Sequence, residues 1–456
     1  LVGLIGGDDA REAWLDARRS SVAPLYEHLQ NHGLDWASGV LPVMTEVPPV
    51  LWSRSLARHM PYLQPNRAWE SMDDANADYA VKNLLGRREA VTVIWLPETD
   101  TCSHKCSRGQ FGMTRRTIAK ADRLLGSVVE ELRAQGRLQS TYLMLVSDHG
   151  HLGGRERYLS HFDLATDFFF RPREVDDRGA WTGGGFGLSV RMHRYENRHP
   201  GDSAKEFVFI DGDSDGVARI SLPRGEYRSG DWSGPNDPSD LLRYRIDAHR
   251  DAIDLPRSVA SIRAVAGNGE IGLPIDLVLM KLDATRVLIT TADRGQSVIE
   301  RRRGGEGRWE YRYFAVADAQ PRAEGGVDFN PVAAPKVDPL RLVDRYAPSF
   351  LFEFHDERRW LELTAETEYP DSVVSLARHM LWDERMTERE REYAPDLVVT
   401  ARAGWYFGTE ASPGTMHGYP LAEATRASWF VSGPRVRRGA RIETPCRLAD
   451  LTPTIL

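Results

Sequence analysis

The chain has 456 residues, of which 41% are hydrophobic and 27% charged, a composition typical of a folded globular protein with length for about two or three domains. The net charge of −7 and the lack of a long basic run argue against binding to a nucleic-acid polymer. Three cysteines cannot form a disulfide framework, and neither a signal peptide nor an apolar run of the ~20 residues needed to span a membrane is visible.

The first half of the chain predicts alternating strands and helices. Residues 70–87 predict a helix, the apolar run at 91–96 predicts a buried strand, and apolar residues from Ile118 to Leu132 recur at helical spacing before a second strand at 141–147. A strand, a helix and a strand at this spacing predict a βαβ unit, which favours parallel pairing. The predicted fold class is therefore α/β, a three-layer α/β/α sandwich around a mainly parallel central sheet.

Residues 175–389 interrupt this alternation. Gly-, Asp- and Arg-rich turns separate short β-prone runs, which predicts a β-rich insertion or accessory region with a helical return segment near its end. Strands at 397–400 and 429–432 follow it. We predict one domain split over 1–174 and 390–456, with 175–389 inserted between the two parts.

Two acid–histidine pairs follow the two predicted strands. Asp100 and His104 come after the run at 91–96, in a predicted loop, and Asp148 and His149 come after 141–147. Open α/β sheets carry their sites at the carboxyl ends of strands. A carboxylate and an imidazole suit Zn²⁺ and tolerate Mn²⁺ or iron. Either pair alone also fits a solvated turn, so the metal interpretation depends on their occurring together.

A third motif near the far end of the sequence contains His417, between Thr415 and Gly418. Alone, such a histidine is more often structural, but with the two pairs it completes a set of five potential metal ligands. His151 lies one residue beyond the second pair. It fits equally a hydrogen-bonding partner behind a ligand or a solvated side chain.

Two further patterns are weaker. The segment 211–216 imitates the start of a calcium loop, but Leu222 stands where such a loop needs a bidentate Glu, so an acidic turn is favoured. Cys102 and Cys106 flank the first-pair histidine, but their spacing does not match known zinc sites.

The order of these motifs along the chain resembles that of a known protein family. Asp100-x-x-x-His104, then Ser-Asp148-His-Gly, then Thr-x-His417-Gly and a closing segment at 450–456 resemble the alkaline phosphatase superfamily, and within it the type I phosphodiesterase/nucleotide pyrophosphatase branch. The resemblance is specific over 90–155 and 395–456 and faint over the first 90 residues.

The resemblance implies a hydrolase of phosphate esters, with phosphodiesters or nucleotide pyrophosphates favoured over monoesters, and with two divalent ions, Zn²⁺ first and Mn²⁺ or Fe as alternatives. It implies that Asp100, His104 and His417 hold one ion and that Asp148 and His149 help to hold the other. A Thr or Ser nucleophile would attack phosphorus in line and form a phospho-enzyme. Members of the family are often extracytoplasmic; oligomeric state and compartment stay open.

Two parts of the family pattern are hard to place, namely the nucleophile and a metal-binding Asp on the first strand. Thr45 is the candidate nucleophile, with Asp8 or Asp9 as the matching acid. The favoured interpretation puts both groups upstream of Leu1. In that case the chain is an internal fragment of a longer hydrolase and the stretch itself would be inactive.

Two alternatives remain open. A sulfatase or a phosphomutase-like enzyme would use the same fold and metals. A sulfatase needs a Cys or Ser in a modification motif near its N-terminus, and none is visible. A non-catalytic metal-binding relative would explain the missing nucleophile, but the five intact ligands argue against it.

Overall fold

The computed structural model describes residues 36–38, 72–86, 91–106, 108–153, 159–170, 173–175, 177, 181–184, 186–188, 190–192, 208–211, 215–246, 252–381, 394–408 and 414–455. The candidate nucleophile Thr45 and the candidate acids Asp8 and Asp9 lie outside the described residues.

Most described helices are short. The α-helices are α1 (Met72–Tyr79), α2 (Glu98–Lys105), α3 (Met113–Ala134), α4 (Pro238–Leu241), α5 (Leu255–Ala260), α6 (Pro348–Leu351), α7 (Glu357–Thr364), α8 (Ser372–Met380), α9 (Ala422–Thr425) and α10 (Leu451–Ile455). Two π-helical segments span Ala80–Leu84 and Leu164–Phe170, and 3-10 turns span Leu138–Ser140, Tyr227–Ser229, Gly305–Gly307 and Leu448–Asp450. The long helix α3 buries Val128 and Leu132 against Leu85, as its predicted apolar face requires.

The described strands fall into one large sheet and several short pairs. They are β1 (Trp36–Ser38), β2 (Val91–Val93), β3 (Leu143–Val146), β4 (Leu152–Gly153), β5 (Ser160–Phe162), β6 (Arg173–Val175), β7 (Trp181–Gly184), β8 (Val190–Met192), β9 (Val208–Asp211), β10 (Val217–Ser221), β11 (Ala264–Val265), β12 (Ile271–Gly272), β13 (Ile275–Lys281), β14 (Arg286–Thr290), β15 (Gln296–Arg303), β16 (Trp309–Val316), β17 (Gln320–Pro321), β18 (Val327–Asp328), β19 (His355–Asp356), β20 (Leu397–Ala401), β21 (Trp405–Phe407), β22 (Thr415–Met416) and β23 (Trp429–Ser432).

The large sheet has nine strands in the order β19-β16-β15-β14-β13-β20-β10-β9-β8. Its neighbouring strands pair antiparallel, except β8 and β9, which pair parallel. Strands β13 and β20, side by side at its centre, are buried almost throughout. Near-continuous apolar runs are what strands covered on both faces need. The hydrophobic core is therefore built around this sheet.

The mixture of helices and strands agrees with an α/β fold, but the mainly parallel, three-layer arrangement is not confirmed, because the largest sheet is mostly antiparallel. Strands β13 to β16 follow one another through short turns, and short turns join antiparallel neighbours. Strands β2 and β3 flank α3 as predicted. However, β2 pairs with β1 in parallel, and β3 pairs antiparallel with β23.

The strand β20 comes from the segment that we assigned to the split domain, yet it lies between β13 and β10, which come from the predicted insertion. Strands from both predicted regions therefore share one sheet. The division into domains stays a prediction.

Short strand pairs bring the motif-bearing segments together. Strand β22 pairs antiparallel with β4, β23 pairs antiparallel with β3, and β21 pairs in parallel with β5. Residues close to 150 thereby lie against residues between 405 and 432. The acid–histidine motifs from distant parts of the sequence meet at these pairs.

Candidate metal centre

The first acid–histidine pair lies on a helix, whereas the sequence analysis placed it in a loop. Helix α2 carries both Asp100 and His104, and side chains four residues apart share a helix face. Nε2 of His104 lies 3.2 Å from Oδ1 of Asp100. Its Nδ1 lies 2.6 Å from the carbonyl oxygen of Thr415. Because a carbonyl only accepts, Nδ1 is the donor, and Nε2 is the ring atom that faces Asp100.

His417 reaches the same carboxylate from the segment after β22. Its Nε2 lies 3.8 Å from Oδ1 of Asp100, and its Nδ1 lies 3.1 Å from Oδ2 of Asp215. A carboxylate on the far nitrogen is how proteins fix the tautomer and orientation of a ligating histidine. Burial lowers the pKa of His417, but the hydrogen bond and charge of Asp215 outweigh burial, so the pKa is raised above its ordinary value.

Asp215 is a site residue that sequence reasoning missed. Its segment was considered only as a calcium-like loop, and nothing in the local pattern connects it with His417. The contact depends on backbone pairing, since the Gly216 N–H donates to the carbonyl oxygen of His417 at 2.8 Å. A signal for this role could come only from knowing which segments lie side by side.

Three of the five predicted ligands form a compact group. Asp100, His104 and His417 each offer one ligand atom, and these atoms lie within 4.8 Å of one another. Burial raises the pKa of Asp100, but the neighbouring rings of His104 and His151 outweigh burial and hold the pKa well below its usual range. The carboxylate is therefore ionised.

The surroundings of Asp100 fit a metal ion. Its Oδ1 is buried and accepts no hydrogen bond from any described residue. A buried, ionised oxygen without a hydrogen-bond donor is unfavourable unless a cation lies beside it. The nitrogen and oxygen donors of this group are those that Zn²⁺ takes in proteins.

Glycines permit the close approach of the backbone segments. A Cβ at Gly414 would lie 1.9 Å from the carbonyl oxygen of Ser103, so only glycine lets β22 lie against α2. Gly418 has φ +81, and a Cβ there would lie 3.0 Å from the Asp215 carboxylate. Gly150 also permits close packing, because a Cβ added there would lie 2.2 Å from the carbonyl oxygen of Glu423.

The second acid–histidine pair lies beside this group. The His149 and His417 ring centroids are 4.2 Å apart. The Asp148 side chain is 84% exposed, and its Oδ2 lies 3.4 Å from Nε2 of His149. No third ligand joins this pair among the described residues. The second metal position therefore stays a prediction. Its other candidate ligands, Asp8 and Asp9, lie outside the described residues.

His151 lies beside this group and not in solvent. Its Nε2 is 3.1 Å from Oδ1 of Asp100, and its ring centroid is 5.0 Å from that of His104 and 5.3 Å from that of His417. Burial lowers its pKa and outweighs the opposing effect of Asp100. We call Asp100, His104, His151 and His417 the histidine cluster.

The two cysteines near the cluster are not among its ligand atoms. The hydroxyl of Thr114 donates to Sγ of Cys102, and Sγ of Cys106 donates to the carbonyl oxygen of Phe111. Neither thiol belongs to the group of potential metal ligands in the described part of the chain. A Cys–His–Cys site around His104 therefore has no support.

Comparison with known families gives a match over part of the chain. Residues 6–219 match the model of the type I phosphodiesterase / nucleotide pyrophosphatase family. The match confirms the resemblance to this branch of the alkaline phosphatase superfamily and, with it, the enzyme class, a phosphoric ester hydrolase. No curated protein and no solved structure matches the chain.

The matched stretch contains both acid–histidine pairs and Asp215 but ends before His417. It also contains Thr45, Asp8 and Asp9. His417 is thus connected with the site by its contacts alone. In the part of the chain that the structure describes, no helix combines the length and the apolar character needed to cross a membrane.

Proposed function

We propose that this protein is a metal-dependent hydrolase of small phosphate esters that prefers phosphodiesters or nucleotide pyrophosphates to monoesters. The observation that carries the metal dependence is the Asp100 carboxylate, whose buried Oδ1 accepts no hydrogen bond from the described residues and faces Nε2 of His104. The family match supports the substrate class. Preference for diesters follows from the family branch.

The proposed site holds two divalent ions. Asp100, His104 and His417 hold the first, and Asp148 and His149 hold the second together with acids nearer the N-terminus, of which Asp8 or Asp9 is the candidate. Zn²⁺ is the first choice because the donors are imidazole nitrogen and carboxylate oxygen. Such a pair of ions, when bound, stabilises negative charge on the phosphoryl group and lowers the pKa of a hydroxyl nucleophile.

The protein's own groups position this chemistry. Asp215 accepts the Nδ1 proton of His417, and the carbonyl oxygen of Thr415 accepts that of His104, so both rings keep a fixed tautomer and orientation. A Thr or Ser hydroxyl, for which Thr45 is the candidate, forms a bond to phosphorus as the ester oxygen leaves from the opposite side. Water then cleaves the phospho-enzyme and releases the phosphate product.

Metal content tests the first half of the proposal. We expect about two zinc equivalents on the purified wild-type protein and a lower content in both Asp148→Ala and His417→Ala. His161→Ala is the matched control, because this exposed histidine lies outside the cluster. Element analysis after gel filtration gives the numbers. A wild-type protein that takes up no metal from zinc-containing buffer contradicts the proposal.

Hydrolysis of chromogenic esters tests the second half. We expect kcat/KM to be highest for bis(4-nitrophenyl) phosphate, lower for 4-nitrophenyl phosphate and lowest for 4-nitrophenyl sulfate, with all activity removed by EDTA and restored by Zn²⁺. Thr45→Ala should lose turnover and Thr45→Ser should retain it if Thr45 is the nucleophile. A preference for the sulfate ester would favour the sulfatase alternative.

A further inference from the structure

We propose that the segment 433–446, which we call the arginine loop, docks the protein on an anionic lipid bilayer. The loop follows β23 and carries four exposed arginines, namely Arg435, Arg437, Arg438 and Arg441. It shares no residue with the histidine cluster, and its role is independent of the proposed hydrolase activity. The docking is peripheral and needs no membrane-spanning helix.

The positive charge of the arginine loop is not neutralised by neighbouring side chains. Residues 433–442 contain the four arginines and no acidic residue, although the chain as a whole carries a net charge of −7. None of the four guanidinium groups forms an ion pair or a hydrogen bond with a described residue. These groups are therefore available to phosphate and carboxylate oxygens of a partner.

Apolar side chains are exposed beside these arginines. Ile442 directly follows the last of them and is 83% exposed. Phe430 and Val431 in β23, shortly before the loop, are 64% and 39% exposed. Anionic membranes attract basic side chains to their headgroups and take up apolar side chains at the boundary with the acyl chains. Both kinds of contact are present in this part of the chain.

Both ends of the arginine loop are fixed to the folded protein. A Cβ at Gly433 would lie 2.6 Å from the ring of Tyr142, so the loop begins in close contact with the residue before β3. At the other end, Nε of Arg447 lies 2.6 Å from Oδ2 of Asp371, and its Nη1 lies 3.0 Å from Oε2 of Glu357. The arginines are therefore presented by an anchored loop.

The arginine loop leaves the β3–β23 pair at the end away from the second acid–histidine pair. Trp429 pairs with Val146, and Ser432 pairs with Leu143. Asp148 follows the last residues of β3, whereas the loop starts beside the first ones. This position favours a role in docking over a role in binding the substrate.

A single-stranded nucleic acid is the main competing partner, because its phosphates also attract arginines. Proteins that bind such strands stack the bases on aromatic side chains, and residues 433–446 contain none. The exposed Ile442 gains nothing from a phosphate backbone, whereas a bilayer can bury it. The lipid surface is therefore the partner that these side chains fit.

Co-sedimentation of the full chain with vesicles tests the proposal. The vesicles consist of phosphatidylcholine alone or with about one third phosphatidylserine. We expect binding to the anionic vesicles only, and weaker binding as salt is added. Arg437→Ala with Arg438→Ala should lower the affinity about 20- to 30-fold, since each arginine near the surface contributes about fivefold. Ile442→Ser should lower it roughly tenfold.

Matched variants separate docking from a general loss of charge or of folding. Arg224→Ala with Arg345→Ala removes two exposed arginines outside the loop and should bind as the wild type does. Arg437→Lys with Arg438→Lys keeps the charge and should keep most of the affinity. Circular dichroism checks that each variant is folded.

Three results would overturn the proposal. They are equal binding to neutral and anionic vesicles, equal affinity of the wild type and the folded Arg437→Ala, Arg438→Ala variant, and tighter binding to polyuridine than to anionic vesicles. None of these results bears on metal content or ester hydrolysis, so the proposed function is tested separately.

Discussion

Two aspartates with a buried carboxylate oxygen, one in the histidine cluster and one beside the large sheet, differ in how that oxygen is satisfied. Asp396, directly before β20, accepts hydrogen bonds at 2.7 Å from the backbone N–H groups of Leu222 and Asn236 and at 3.1 Å from the Asn236 side chain. Oδ1 of Asp100 accepts none from the described residues. Burial alone does not distinguish structural from functional carboxylates in this protein, whereas the presence or absence of donors does.

The two carboxyl groups also differ in their proton affinity. Burial raises the pKa of Asp396 to about 6 even though three hydrogen bonds oppose it. The rings around Asp100 outweigh burial and hold its pKa well below the usual range. The structural aspartate is thus close to neutral in mildly acidic solution, while the cluster aspartate stays charged and available to a cation.

Exchanging each aspartate for asparagine tests this comparison most strongly. Asp100→Asn should weaken zinc binding by more than about 100-fold, because a charged ligand is lost. It should leave the stability of the metal-free protein unchanged or slightly raised. Asp396→Asn should bind zinc normally but lose about 1–3 kcal/mol of unfolding free energy, because an amide group faces a backbone donor.

Calorimetric titration gives the affinities, and urea unfolding in EDTA gives the stabilities. Equal destabilisation of the metal-free protein by both substitutions would show that Asp100 is a structural residue like Asp396, which breaks the comparison.

The backbone contact beneath the cluster gives the next largest effect. A methyl group at Gly414 would lie 1.9 Å from the carbonyl oxygen of Ser103, so α2 and β22 must move apart in Gly414→Ala. We expect zinc affinity to fall by about 10- to 100-fold, in the range seen when ligand support is lost. Gly86→Ala is the matched control, since a Cβ at that position would meet nothing within 4 Å and the φ of Gly86 is not positive. Normal affinity in Gly414→Ala would mean that β22 does not fix the ligands.

The smallest expected effect is a pH dependence of the unfolding free energy that comes from Asp396, beside the large sheet. The folded pKa of Asp396, about 6, lies above the ordinary value of 3.8 for an aspartate, so the folded state binds this proton more tightly. Stability from this group is complete at low pH and is lost as pH rises through about 6. Relative to Asp396→Asn, the wild type should lose about 1 kcal/mol of unfolding free energy between pH 5 and pH 6.5. A difference that stays constant over this range would contradict the raised pKa.

The sequence was informative about local features of the site. It located both acid–histidine pairs and His417, and three of these five residues form a compact group. It also located the long helix at 113–134 and the strand at 143–146. These features depend on residue type and on periodicity within one segment, which are visible without knowing the fold.

Features that depend on distant partners were not predictable. Strand β3 is a clear strand in the sequence, but its partner β23 comes from the other end of the chain, so the pairing direction could not be deduced. The roles of His151 and Asp215 likewise depend on segments that meet only in the folded protein. A histidine one residue beyond a motif and an aspartate in an acidic turn look the same in sequence whether they face solvent or a cluster.

One hydrogen bond has a consequence for biosynthesis. The bond from His104 to the carbonyl oxygen of Thr415 joins residues 311 positions apart. Helix α2 leaves the ribosome long before β22 exists, and until then Asp100 and His104 have neither His417 nor Thr415 to complete their surroundings. An ion captured by the nascent chain would have too few ligands to be held tightly. Tight metal binding should therefore begin only after β22 has been synthesised and has folded against α2. Chains whose synthesis stops before β22 should contain no bound metal.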